Sequence, residues 1–167
     1  MKQPDKKALV ALEKSIAVKA QRCSWGDTNN AIVAPTEKQE LQLFDLISKG
    51  NLFAFHAALL VYKCWDGGDL EDFDRSAGIF FDTQPLVFLQ TVKEKAIQDS
   101  EIVDMLTMLP LDTVDDIGRK ISMVENRIKK LKNISDESLS EIKRKGLSSL
   151  EKEKNDLYRI AEEIKKK

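Results

Sequence analysis

With 167 residues, 42% of them apolar, the chain can bury a core, which excludes wholesale disorder. A charged fraction of 33% beside only 7 glycines and 4 prolines is the composition of long helices. The net charge of −1 excludes a global field drawing the chain to nucleic acid.

No apolar run approaches the roughly 20 residues of a membrane-spanning helix. The longest, Leu52 to Tyr62, is short and holds His56. Met1 to Asp5 shows no apolar leader, so a cytoplasmic home is the default expectation. An exported form, periplasmic or secreted, stays open if a leader has been removed. Residues 1–110 carry 12 Lys/Arg against 16 Asp/Glu, and residues 111–167 carry 15 against 12. That asymmetry suggests two segments with different roles.

Residues 5–22 read as an amphipathic helix, with Leu9, Leu12, Ile16 and Ala20 at steps of three and four. Ser24 to Pro35 is rich in turn formers. Thr36-Glu37-Lys38-Gln39 is a capping-box pattern opening a helix with Leu41, Phe44 and Ile47. Gly50 suits the left-handed position after it, and Asn51 can cap the next helix, about 52–65. That helix is apolar nearly all round, which predicts a central place in the bundle.

Asp66-Gly67-Gly68 reads as its end and Asp69 as the cap of a fourth helix carrying Leu70, Phe73, Ala77, Phe80 and Phe81. Pro85 predicts the first position of a fifth helix, 85–97. A short sixth spans about 100–109, before Pro110.

The clearest periodicity comes last. Val114, Ile117, Ile121, Val124, Ile128 and Leu131 step 3, 4, 3, 4, 3, a heptad seam. Asn133 to Asp136 breaks it, and Ser138 to Glu141 opens a second long helix with Ile142, Leu147, Leu150, Leu157, Ile160 and Ile164. Helices are expected at about 113–132 and 138–165, paired as an antiparallel hairpin. The predicted fold is all-α: a bundle of short helices over 1–110, then a coiled-coil-like hairpin over 111–167 that can pack on the bundle as one domain.

Candidate chemistry is sparse. His56 is the lone histidine, and a buried or boundary histidine with a structural partner explains it better than catalysis. The acidic group Asp66, Asp69, Glu71, Asp72 and Asp74 fails the EF-hand pattern, because Gly68 and Leu70 stand where oxygen ligands belong. Helix-start electrostatics accounts for it instead. Cys23 and Cys64 form no metal-ligand pattern; they read as free thiols, or as one disulfide in an oxidising compartment.

Lys129, Lys130 and Lys132 precede the expected hairpin turn, and Lys143, Arg144 and Lys145 follow it. With Trp25, a loop aromatic, they are the candidate interaction surface. Acidic residues interleave with them and no aromatics do, which argues against nucleic acid. The expectation is a non-enzymatic protein-binding helical protein, with no catalytic, cofactor or metal site and an oligomer open through the hairpin. The alternatives are a small-ligand or enzymatic bundle using His56, and a weak nucleic-acid-binding basic hairpin.

Overall fold

A computed structural model describes residues 37–65 and 67–166. The expected helix 5–22, the loop with Cys23 and Trp25, and Asp66 lie outside the described residues. The rest is all-α, with no strand among the described residues. Seven helices run α1 (Glu37–Ser48), α2 (Leu52–Val61), α3 (Gly67–Thr83), α4 (Pro85–Glu94), α5 (Asp99–Thr107), α6 (Ile117–Lys132) and α7 (Ser140–Lys165). Two compact units are present, one ending at Phe73 and the other running Asp74–Lys167.

In the first unit α1 ends as expected. Gly50 has φ 80°, its N–H meets the Ile47 carbonyl at 2.8 Å, and the Asn51 N–H meets that of Leu46 at 3.0 Å. These are the two bonds of a Schellman motif. The Asn51 side chain accepts from the N–H groups of Phe53 and Ala54, so one dipeptide closes a helix and opens the next.

Phe73 is the hub of this core. Its ring lies 5.3 Å from Trp65, 6.3 Å from Tyr62, 6.4 Å from Phe55 and 6.5 Å from Phe44. Trp65 keeps its indole N–H satisfied by donating to Glu40 Oε1 at 3.1 Å. Burial of α2 is one-sided: Ala54, Phe55, Ala58 and Leu59 are inside, while Leu52, Phe53, His56, Ala57, Leu60 and Val61 are half-exposed. The expected central placement of this helix is therefore only half met. It also ends at Val61, short of 65, in a 3-10 turn over Tyr62–Cys64.

The start of α3 differs from expectation too. The helix begins at Gly67, which has φ +50°, so Asp69 lies in its first turn rather than at its cap. A carboxylate there still complements the helix dipole.

In the second unit α4 begins with Pro85 at its first position, as expected, but stops at Glu94. Ala96 takes the left-handed conformation at φ 52°, its N–H bonded to the Lys93 carbonyl and that of Ile97 to Val92. The sequence reading ran through to 97 because alanine carries no stop signal; glycine is the usual residue for this position. The next helix, α5, starts at Asp99, and the Glu101 carboxylate accepts from the Gln98 N–H at 3.0 Å.

The expected start of α6 at 113 is four residues early. Leu111–Thr113 form a 3-10 turn, and Asp116 caps the helix by accepting from the Arg119 N–H at 2.8 Å. An aspartate with its carboxylate free to reach back is a strong stop on N-terminal extension. Val114 is consequently outside the helix and 55% exposed. Of the expected seam, Val124, Ile128 and Leu131 are buried, and Ile117 and Ile121 are half-exposed.

Along α7, Leu150 and Leu157 are buried, whereas Ile160 and Ile164 are 42% and 57% exposed. Lys132 meets Glu151 at 3.1 Å and Tyr158 donates to Glu125 at 2.9 Å. As position falls along α6 it rises along α7, so the two run in opposite directions. Gly146 permits close approach here. A Cβ on it would stand 2.8 Å from Leu106 Cδ1 and 3.3 Å from Leu131 Cδ1, joining α5, α6 and α7 at one point.

Candidate interaction surface

Among the described residues, the first-ranked by volume of the fully buried side chains is a charged one. Arg127 has no exposed surface, yet lies on the apolar stripe of α6, three residues after Val124 and four before Leu131. Its Nε meets both carboxylate oxygens of Asp82 at 3.2 Å, and its Nη2 meets Oδ2 at 2.8 Å. Its Nη1 donates to the carbonyls of Leu106 and Met108, each at 2.8 Å.

Those two carbonyls close the C-terminal end of α5, where helix geometry leaves acceptors unpaired. One planar guanidinium thus joins α3, α5 and α6. Gly78 makes room for it: a Cβ there would meet Arg127 Nη2 and the Met105 carbonyl at 2.8 Å, and the Met108 carbonyl at 2.9 Å. Lys130 adds a second cation, donating to the Asp82 carbonyl at 2.6 Å and to Oδ1 at 3.3 Å. A charge this buried requires a partner. The signal in the sequence was a basic residue on the seam itself; the partner, far back in α3, was not readable.

The basic residues expected to form an interaction surface therefore divide. Lys130 belongs to the Asp82 cluster. Lys132 pairs with Glu151, and Lys143 donates to the Ile134 carbonyl. Lys145 binds Asp99 and Glu141. Hydrogen bonds to Asp99 and then Glu141 raise the Lys145 pKa above its ordinary value. Glu151 is lowered by hydrogen bonds from Lys154 and then Lys132. Lys129 and Arg144 are exposed, and Arg144 lines a shallow cavity of about 350 Å³ with Asp99, Ser100, Asp104 and Ser148. Burial, with Glu101 nearby, raises the Asp104 pKa there.

Basic and acidic groups are thus knitted together around residues 129–145, and four of the six cations hold α6 and α7 to their surroundings. His56 lies on the half-exposed side of α2. The acids Asp69, Glu71, Asp72 and Asp74 lie in the first turns of α3. Among the described residues no group of three His, Cys, Asp or Glu side chains is arranged to hold a metal ion. No helix among them is long and apolar enough to cross a membrane.

Exposed apolar side chains stand before α6, at Leu111 and Val114, and late in α7, at Ile160 and Ile164. Leu111 is 61% exposed, and with it Val114, Ile160 and Ile164 open to solvent. Ile160 and Ile164 continue the stripe of Leu157 at steps of three and four, and Val114 lines a cavity of about 220 Å³ with that same Leu157. The sequence pattern carried these residues as seam positions. What it did not carry is that α6 starts only at Ile117, so that Val114 stands outside the helix.

Comparison of the chain with protein-family models, with curated proteins and with solved structures gives no match.

Proposed function

We propose that this is a non-enzymatic, protein-binding helical protein whose interaction element is the coiled-coil-like hairpin formed by α6 and α7. The observation that carries this reading is the exposure of four large apolar side chains, Leu111 and Val114 before α6 and Ile160 and Ile164 late in α7, in a stretch otherwise rich in charge. Exposed apolar side chains are those a protein partner would cover. The salt-bridged region near residues 129–145 supports the same reading from the other side, because four of its six cations are engaged by carboxylates or a carbonyl of this chain rather than presented as a phosphate-binding row.

Affinity capture of the full chain from its native cells, read by quantitative mass spectrometry, tests the proposal. Ile164→Asp is expected to lose the bound proteins, and Lys152→Asp, on an exposed position of the same helix, to retain them. Equal recovery with both variants refutes the assignment of this surface.

A further inference from the structure

We infer that Met108 is a site of reversible oxidation by peroxide, its sulfoxide held by the Arg75 guanidinium, independently of the protein-binding reading above. Met108 follows α5 and lies between two arginines. Its carbonyl accepts from Arg127 at 2.8 Å, which fixes the backbone, and its thioether sulfur accepts from Arg75 Nη1 at 3.6 Å. A thioether is a weak acceptor and a guanidinium a strong, permanently charged donor, so the pair is mismatched as it stands. Oxidation corrects the mismatch. A sulfoxide is polar, and its oxygen can take a charge-assisted hydrogen bond from the guanidinium. The unbranched, freely rotating methionine side chain lets that oxygen turn toward Nη1.

The sulfur is also within reach of a small oxidant. Met108 is half-buried and lines the cavity of about 220 Å³ that Leu157 and Val114 share. The charged groups on the wall of that cavity are Arg75, Lys120 and Glu153, two cations and one anion. The hydroxyls of Thr107 and Thr113 donate to the carbonyls of Val103 at 2.9 Å and Pro110 at 2.6 Å, so the donors left for a new oxygen are the cations. The reaction is an oxygen transfer. A sulfur lone pair attacks one oxygen of hydrogen peroxide, and the S–O bond forms as the O–O bond breaks. The departing hydroxide takes the proton of the transferred oxygen and leaves as water. The sulfur is oxidised and the peroxide reduced, with no further reactant. Arg75 and Lys120 supply N–H donors to the negative charge that grows on the departing oxygen.

Exposure of the full chain to dilute hydrogen peroxide tests this, with peptide mass spectrometry following the added oxygen at each methionine. Met105, three residues back, has no exposed surface and is the internal reference. Met108 is expected to oxidise at least about tenfold faster than Met105, since susceptibility follows access. Thermal melting is then measured in a Met123→Leu background, a substitution that conserves volume and removes the half-exposed methionine of α6. Oxidation is expected to leave the Tm of this protein unchanged. With Arg75→Ala, and separately with Arg75→Leu, which keeps bulk without a donor, oxidation is expected to lower Tm, because the sulfoxide then lacks its guanidinium. Circular dichroism before oxidation confirms that each variant is folded.

A smaller ratio of the Met108 to the Met105 rate overturns the inference. So does a fall in Tm on oxidation that is the same with Arg75 present and with Arg75 replaced.

Discussion

Removing the Arg127 side chain is the sharpest perturbation of this fold. Arg127→Ala leaves the Asp82 carboxylate without its bidentate partner and strips donors from the Leu106 and Met108 carbonyls, each bonded at 2.8 Å. A buried group left unsatisfied costs about 1–3 kcal/mol, and breaking a buried ion pair by deleting one partner costs about 3–5 kcal/mol in all. Asp82 retains Lys130 and is one-fifth exposed, which keeps the loss within that range rather than above it. For a chain of this length each kcal/mol lowers Tm by about 2–4 °C, so a fall of roughly 6–20 °C is expected. Urea unfolding followed by circular dichroism measures the free energy directly. Arg127→Met combined with Asp82→Leu is expected to recover part of the loss, because both charges then leave together, with a coupling of about 1–3 kcal/mol. A loss below about 1 kcal/mol for Arg127→Ala refutes the claim that this guanidinium ties the three helices.

Other outcomes follow from single positions. Gly78→Ala gains about 1 kcal/mol in helix propensity, but its Cβ would meet two backbone carbonyls and a pinned guanidinium within 2.9 Å; a net loss of about 1–3 kcal/mol in thermal melts is expected. Ala96→Gly relieves a left-handed alanine at φ 52° and is expected to raise stability by about 0.5–1 kcal/mol, read the same way. Val124→Asp, at a position with no exposure, is expected to cost several kcal/mol, and Ile121→Asp, half-exposed, distinctly less. The hydrogen bond to Glu125, with the charge of that residue, raises the Tyr158 pKa. Since the folded value lies above the unfolded one, this stabilisation is present at neutral pH and is lost as pH rises through the raised value. In a tyrosinate absorbance titration, Glu125→Gln is expected to bring that phenol back down.

Much of the architecture was legible in the sequence because helices announce themselves locally. Gly50-Asn51 marks a stop and a start, Pro85 opens α4, and three-and-four spacing identifies Val124, Ile128, Leu131, Leu150 and Leu157 as inward. Boundaries were lost where the signal was atypical: an alanine doing the work of glycine at 96, and a glycine, Gly67, opening a helix. What stayed out of reach was non-local. Arg127 reads as a solvated charge until Asp82 is brought against it, and no period links α3 to α6. The candidate surface reads differently in three dimensions for a related reason. The six cations flanking the turn look available in one dimension, but Asp82, Asp99, Glu141, Glu151 and the Ile134 carbonyl reach four of them in three.

The most direct test of the account is a photo-activated cross-linking residue placed at Ile164 of the full chain in its native cells, with Lys152 as the control position. Protein adducts are expected from position 164 and not from 152. No adduct at 164, or the same adducts from both positions, would contradict it.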